Sequence, residues 1–234
     1  MDFSSKLLEA NLVKRYKRFL ADVIFLNGNQ MTIYCPNPGS MNGLSQEGLK
    51  VWIQRAENPK AKFSFVWKLA EDDDGNLVCI DTQVANKIVL EALSLRKISG
   101  LENYTEIISE PKIDDRGRLD FLLHFKDKES CYLEVKSVTL SRTSDIAEFP
   151  DSVTARGSKH LRLLAELKSM GFRAIQLYVI QRMDTNFFKI AEDIDQEYYR
   201  LFMEAKSLGV EIKAFRSEIT TKDIQLGSFS PMLL

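Results

Sequence analysis

Several features that identify common protein classes are scarce in this 234-residue sequence. It has three cysteines, Cys35, Cys79 and Cys131, which are odd in number, far apart and outside any CxxC pattern. A disulfide-stapled secreted domain and a cysteine-ligated zinc site are therefore both disfavoured. Each cysteine lies in an apolar segment, which predicts buried, reduced thiols and a cytoplasmic location.

The sequence also lacks a long apolar run and an excess of charge. No segment approaches the ~20 apolar residues of a membrane-spanning helix. The first residues, MDFSSKLLEANLVKRYKRFL, contain no signal-peptide core, so we expect no membrane partner. The formal net charge is −1, so any binding to nucleic acid depends on local basic patches. The absence of a GxxxxGK[ST] loop disfavours an ATP-driven role.

What is present is typical of a globular protein, with 44% hydrophobic and 28% charged residues. Residues 1–80 consist of short strand-like segments separated by turns such as NGNQ, PNPGSMNG and DDDGN. Five strands without a helical period predict a small closed or partly closed β-barrel, and an OB-fold is the preferred version.

The hydrophobic period changes at Asp81. Residues 81–98 carry apolar side chains at the spacing of an amphipathic helix. A β-hairpin, a helix that ends before Gly171, a strand, a further helix and a last strand follow. This order predicts an α/β domain over residues 81–234, and the whole chain is then α+β with its other domain at 1–80.

The predicted hairpin, GRLDFLLHFKDKESCYLEVKSVTL, alternates apolar and polar residues. Pairing Phe125 with Cys131 would bury six apolar residues on one face, and a slip by one residue would expose one arm. In this register Asp120 lies opposite Lys136, and Glu134 is one diagonal step from Asp120. Two carboxylates and an ammonium then share the other face.

This charged face has two interpretations. It is either a solvated surface with a cross-strand ion pair, worth ~0.2–1 kcal/mol, or a functional site. The β run YLEVKSVTL favours a central strand covered on both faces, where charges are costly unless they are paired or bind a metal. Asp120 and Glu134 would then hold Mg²⁺ or Mn²⁺ through hard oxygen ligands, and Lys136 would act on a water or on phosphate.

The pattern of Asp120, Glu134 and Lys136 resembles the active-site signature of the PD-(D/E)XK nuclease superfamily, with Leu119 in the place of its proline. The segments RYKRFLADV, CPNPGSM and RLDFLLHFKDKESCYLEVKSVTL…FPDSVTARGSKHL resemble the sugar fermentation stimulation protein family over essentially the whole chain. The resemblance implies an OB-like domain, a nuclease-like domain with an αβββαβ core, and DNA binding. It implies a catalytic role for these three residues.

Three further residues are secondary catalytic candidates. Glu91 lies at the edge of the apolar face of the first helix, where superfamily members often supply an extra carboxylate; its alternative is a side chain in water. Asn86 ranks lower because it lies on a different helix face. By resemblance Glu110 could lie near the metal, or it is a solvated loop carboxylate. His160 is either a base or phosphate ligand, or a structural histidine at a helix start.

Two basic segments are candidates for binding nucleic acid. LVKRYKRFLADV interleaves basic and aromatic residues, which suits phosphate contacts and base stacking, or else protects an edge strand. FPDSVTARGSKH places polar and basic residues at a helix N-terminus, which suits phosphate, or is ordinary surface charge with Ser158 as cap. The candidates are Lys14, Arg15, Tyr16, Lys17 and Arg18 in the first segment and Thr154, Arg156 and Lys159 in the second.

The sequence therefore predicts a DNA-binding protein with a Mg²⁺- or Mn²⁺-dependent nuclease (phosphodiesterase) site. The rival is a non-catalytic DNA-binding regulator of sugar (maltose) metabolism that keeps the nuclease fold. Two retained carboxylates favour catalysis, because phosphate binding alone does not need them. A glycosidase with Asp120 and Glu134 as acid and nucleophile is disfavoured by the neighbouring lysine and the basic loop.

Overall fold

The first part of the chain is a β-barrel. A computed structural model of the protein describes residues 1–72 and 74–233. The barrel strands are β1 (Leu8–Tyr16), β2 (Leu20–Phe25), β3 (Gln30–Tyr34), β4 (Lys50–Arg55), β5 (Phe65–Glu71) and β6 (Leu77–Cys79). They hydrogen-bond in the order β3-β2-β1-β4-β5-β6. A parallel pairing of Tyr34 with Val66 joins β3 to β5 and closes five strands into the OB-like barrel that was predicted.

Alternating side chains of these strands fill the barrel. Ala10 and Leu12 of β1, Val51 and Ile53 of β4, and Trp67 of β5 are at most 1% exposed. All three cysteines of the chain are buried, as the sequence predicted.

The C-terminal domain is an α/β unit around a six-stranded sheet, which confirms the predicted fold class. Its sheet order is β17-β16-β14-β11-β10-β7, with β11, β14 and β16 mutually parallel. The elements are α1 (Gln83–Ser94), β7 (Tyr104–Ser109), β8 (Lys112–Ile113), β9 (Gly117–Arg118), β10 (Phe121–Phe125), β11 (Cys131–Val138), β12 (Leu140–Thr143), β13 (Asp145–Phe149), α2 (Ala155–Ser169), β14 (Arg173–Ile180), β15 (Thr185–Ile190), α3 (Gln196–Ser207), β16 (Glu211–Ile219) and β17 (Ile224–Phe229).

Two apolar layers cover the two faces of this sheet. Helix α1 packs its buried face, including Val84 and Ile88, on one side of the sheet. Helices α2 and α3 pack on the other side, around Leu164 and Phe202. The sheet β12-β13-β15 was not predicted. No helix in the described part of the chain is long and apolar enough to cross a membrane.

The hairpin β10–β11 forms, but its register differs by two residues from the one predicted. Leu123 pairs with Cys131, and Phe121 pairs with Leu133, whereas Phe125 was expected opposite Cys131. A slip of two residues keeps every side chain on its face, so the apolar set still lies in one core. What changes is which polar residues face one another.

Candidate active site

Asp120 lies immediately before β10, in the short break between β9 and β10. Its backbone N–H donates to the carbonyl of Leu133 at 3.1 Å, and its carbonyl accepts from Glu110 at 2.8 Å. Continuing the observed register places Asp120 across from Glu134, so the expected pairing of Asp120 with Lys136 is wrong. Because Asp120 lies outside the strand, its side chain does not follow the strand's alternation.

The Asp120 carboxylate binds two donors from different elements. Oδ1 accepts from Nδ2 of Asn86 in α1 at 2.6 Å, and Oδ2 accepts from the backbone N–H of Val135 at 2.7 Å. Burial and, next, the negative charge of Glu134 raise the pKa of Asp120 to about 6, against the opposing hydrogen bond from Val135. The two carboxylates are thus electrostatic neighbours, although Asp120 turns toward α1.

Glu134, on β11, is 3% exposed and turns toward α2. Its Oε1 accepts from Nζ of Lys136 at 2.6 Å and from Nδ1 of His160. Its Oε2 is buried and has no hydrogen-bond partner among the described residues. Burial opposes ionisation, yet the charge of Lys136 and the hydrogen bond from His160 keep the pKa of Glu134 below its usual value.

His160 belongs to this cluster. It lies near the start of α2, is 7% exposed, and its Nδ1 is 3.2 Å from Nζ of Lys136. Since both nitrogens approach Oε1 of Glu134, the arrangement fits a histidine whose Nδ1 carries the proton and donates it to the carboxylate. The structure therefore brings together Asp120, Glu134, Lys136 and His160.

The other two candidate acids lie apart from this cluster. Glu91 forms an ion pair of 2.8 Å with the amino group of Met1. Glu110 is close to Asp120 through its backbone, but its exposed carboxylate is 3.7 Å from Arg118. Asn86, which was ranked below Glu91, is the α1 residue that reaches the site. Its signal in the sequence was a polar residue in the first turns of a helix that otherwise packs apolar side chains.

The chemistry of these oxygens fits a hard divalent cation. Among residues 1–72 and 74–233, no group of three His, Cys, Asp or Glu side chains is arranged to hold a metal ion. Mg²⁺, however, commonly takes one or two carboxylates and completes its shell with water and substrate phosphate. Oε2 of Glu134, which is buried and has no partner in the part of the chain that the structure describes, and the neighbouring Asp120 offer such a pair.

A cleft of about 390 Å³ adjoins the cluster and lies between the barrel and the C-terminal domain. Arg18, Asn37 and Gly39 line it from the barrel, while Lys136 and Thr154 line it from the C-terminal domain. Asn86 and Val135, which bind the Asp120 carboxylate, line it as well, so Lys136 and the two partners of Asp120 share this opening with the barrel.

The basic strand of the barrel is only in part available to a ligand. The Arg15 guanidinium donates to the carbonyls of Asn37 at 2.8 Å and Gly39 at 2.9 Å, and it supports the 36–41 loop. Lys14 lies 3.6 Å from Asp22, and the Tyr16 hydroxyl donates to the same carboxylate at 3.1 Å. These three candidates make internal contacts.

Four other candidates face outward. Lys17 and Arg18 form the exposed turn between β1 and β2, and Arg156 and Lys159 are exposed in the first turns of α2. Thr154 caps α2, since its side chain accepts from the N–H of Gly157 at 3.1 Å. The expected cap, Ser158, lies inside the helix instead.

Family models match both parts of the chain. The model described as "SfsA N-terminal OB domain" matches residues 13–80. The model described as "Sugar fermentation stimulation protein RE domain" matches residues 83–223.

Known proteins agree with these matches. A sugar fermentation stimulation protein homolog from Ruegeria sp. (strain TM1040) is 44% identical over 231 residues, which cover 99% of this chain and 100% of the relative. A homolog from Pseudoalteromonas atlantica is 42% identical, with 100% of both chains covered. The structure of Pyrococcus furiosus SfsA in complex with Ca²⁺ has the same fold, with a TM-score of 0.89 at 24% identity, and the match covers 100% of this chain and 98% of that one. The chain belongs to the sugar fermentation stimulation protein family.

Proposed function

We propose that this protein is a divalent-metal-dependent nuclease that acts on DNA, with an OB-like domain at residues 1–80 and a nuclease-like domain at 81–234. The observation that carries the proposal is the environment of Glu134. A solvated ion pair would leave this side chain in water, whereas Glu134 is 3% exposed and has one oxygen bound by two side chains. Its other oxygen is buried without a partner in the described part of the chain.

In this proposal Asp120 and Glu134 hold Mg²⁺ or Mn²⁺. The ion would activate water and neutralise charge on the scissile phosphate. Lys136 and His160 keep Glu134 ionised, which a cation ligand requires. The Asn86 and Val135 hydrogen bonds fix the orientation of the Asp120 carboxylate.

Lys136 has a second role at the phosphate. Its ammonium lies 2.6 Å from Glu134 and lines the adjoining cleft, so it orients the attacking water or stabilises the negative charge that develops on the phosphate. His160 is a positioning residue, because it acts through the carboxylate of Glu134.

Two further observations support the metal and the partner. The related Pyrococcus furiosus protein binds Ca²⁺, a cation that takes oxygen ligands as Mg²⁺ does. Exposed basic residues occur in the β1–β2 turn, where Arg18 lines the cleft, and in the first turns of α2, whose cap Thr154 also lines it. Basic residues at these positions suit contacts to a DNA backbone.

The experiment is cleavage of labelled DNA and RNA substrates with Mg²⁺, Mn²⁺ or EDTA, with binding measured on the same samples. Wild type is compared with Asp120→Ala and Lys136→Ala after circular dichroism has shown that each variant is folded. We expect metal-dependent cleavage of DNA that both substitutions abolish while binding persists. Binding without cleavage under every condition would instead support the non-catalytic regulator of sugar metabolism.

A further inference from the structure

The opening beside the catalytic cluster is a pocket of limited size. Its volume is about 390 Å³, and both domains contribute to its walls. We propose that this pocket receives one unpaired nucleotide of a DNA strand, so that the enzyme acts on single-stranded or frayed DNA in preference to intact duplex. The inference rests on the proposed nuclease function and specifies its substrate.

The size of the pocket favours a single nucleotide. Ligand pockets in proteins span ~300–1,000 Å³, and this one lies at the lower end of that range. A volume at this end of the range matches one nucleotide more closely than a stacked base pair with both its backbones. Enzymes that act in pockets of this kind take the nucleotide out of the duplex or bind a strand that is already unpaired, and the cost of unstacking then favours unpaired DNA.

The barrel wall of the pocket is held in place by several contacts. The Arg15 guanidinium binds two carbonyls of the 36–41 loop. A Cβ atom added at Gly39 would lie 2.0 Å from Oδ2 of Asp151, so the loop and the C-terminal domain are in close contact there. Ser40 adds a hydrogen bond of 2.8 Å to the carbonyl of Asp151. Widening the cleft for a duplex would break these contacts.

The lining has the chemistry to bind a nucleotide. Arg18 comes from the barrel and Lys136 from β11, so cationic side chains line the pocket from both domains. No ion pair involves Arg18 within residues 1–72 and 74–233, which leaves its guanidinium for phosphate or for stacking on a base. Asn37 and Ser137 also line the space. The amide oxygen of Asn37 accepts from Gly39 and the Ser137 hydroxyl accepts from Gln181, which leaves the Asn37 amide nitrogen and the Ser137 hydroxyl proton as donors to the polar edge of a base.

Binding can be tested without cleavage, in EDTA and with the Asp120→Asn background. The probes are a single strand with one 2-aminopurine, the matching blunt duplex, and the same duplex with a mismatched end. We expect the single strand and the frayed duplex to bind about tenfold more tightly than the blunt duplex, with a rise in 2-aminopurine fluorescence. Arg18→Ala should remove this preference. Lys17→Ala, in the same turn but outside the pocket, should weaken the binding of all three probes equally.

A second pair of variants tests whether the pocket itself gives the preference. Val153 lines it and is 76% exposed, so Val153→Trp should fill the mouth without disturbing the core and abolish the preference, while Val153→Ala should keep it. Equal affinity of the wild type for the single strand and the blunt duplex would overturn the inference. A preference for the single strand that survives both Arg18→Ala and Val153→Trp would also overturn it. Because these are binding measurements without metal, a failure of the nuclease proposal would appear separately, as lack of cleavage by the wild type.

Discussion

His160 donates a hydrogen bond to the carboxylate of Glu134 across 26 residues of sequence. The bond ties the start of α2 to the central strand β11. It occupies the same oxygen that Lys136 binds, and it leaves the second oxygen of Glu134 as the one available to a metal ion. The orientation of Glu134 therefore depends on a residue of another element.

This relationship predicts the effect of changing His160. His160→Ala should lower kcat by about 10–100-fold, the usual effect of losing a partner that orients a metal ligand. His160→Asn places an N–H donor near the position of Nδ1 and should recover most of that loss. Steady-state kcat and KM on one DNA substrate provide the measurement. If His160→Asn is as slow as His160→Ala, the imidazole itself takes part in proton transfer.

The environment of Asp120 predicts that the stability of the metal-free protein depends on pH. Its pKa is raised from 3.8 to about 6, so its ionisation destabilises the folded state, and this cost develops as the pH rises through that interval. In EDTA, Asp120→Asn should therefore be more stable than wild type by ~1–3 kcal/mol at pH 8, with the difference vanishing near pH 4. Urea unfolding at several pH values measures it. A difference that does not change with pH would contradict the assigned environment of Asp120.

Arg15 should affect stability more than DNA binding. Lysine cannot donate to two carbonyls in the geometry of a guanidinium, so Arg15→Lys should lower the free energy of unfolding by ~1–3 kcal/mol. Lys17→Ala, an exposed substitution in the adjacent turn, should change it by less than about 0.5 kcal/mol. Denaturant unfolding of both variants tests this. Unchanged stability of Arg15→Lys together with a reduced salt dependence of DNA affinity would return Arg15 to a phosphate-binding role.

The hairpin shows what an alternating pattern can predict. Alternation defined which residues of β10 and β11 share the core, and the structure confirms that set. It could not separate registers that differ by two, because both bury the same side chains. The pairing of Asp120 was missed for that reason, since only backbone hydrogen bonds and the loop decide between such registers.

The other contacts that the sequence did not predict join distant segments of the chain. Asn86 was ranked below Glu91 from helix faces alone, and Arg15 was grouped with surface cations because its strand is basic. Their actual partners, Asp120 and the carbonyls of the 36–41 loop, are 34 and at least 22 residues away in the chain. Such contacts arise from the packing of distant segments within each domain and leave no local periodic signal.

The most direct test of the account is a comparison of acidic residues in the Mg²⁺-dependent cleavage assay. Asp120→Asn and Glu134→Gln should each lower the cleavage rate by about 100-fold or more. Glu91→Gln and Glu110→Gln, whose carboxylates pair elsewhere, should stay within about threefold of wild type. Loss of cleavage in Asp120→Asn and Glu134→Gln, but not in the other two variants, would support the proposed metal site. Equal rates in all four variants, or a loss with Glu91→Gln in place of Glu134→Gln, would contradict it.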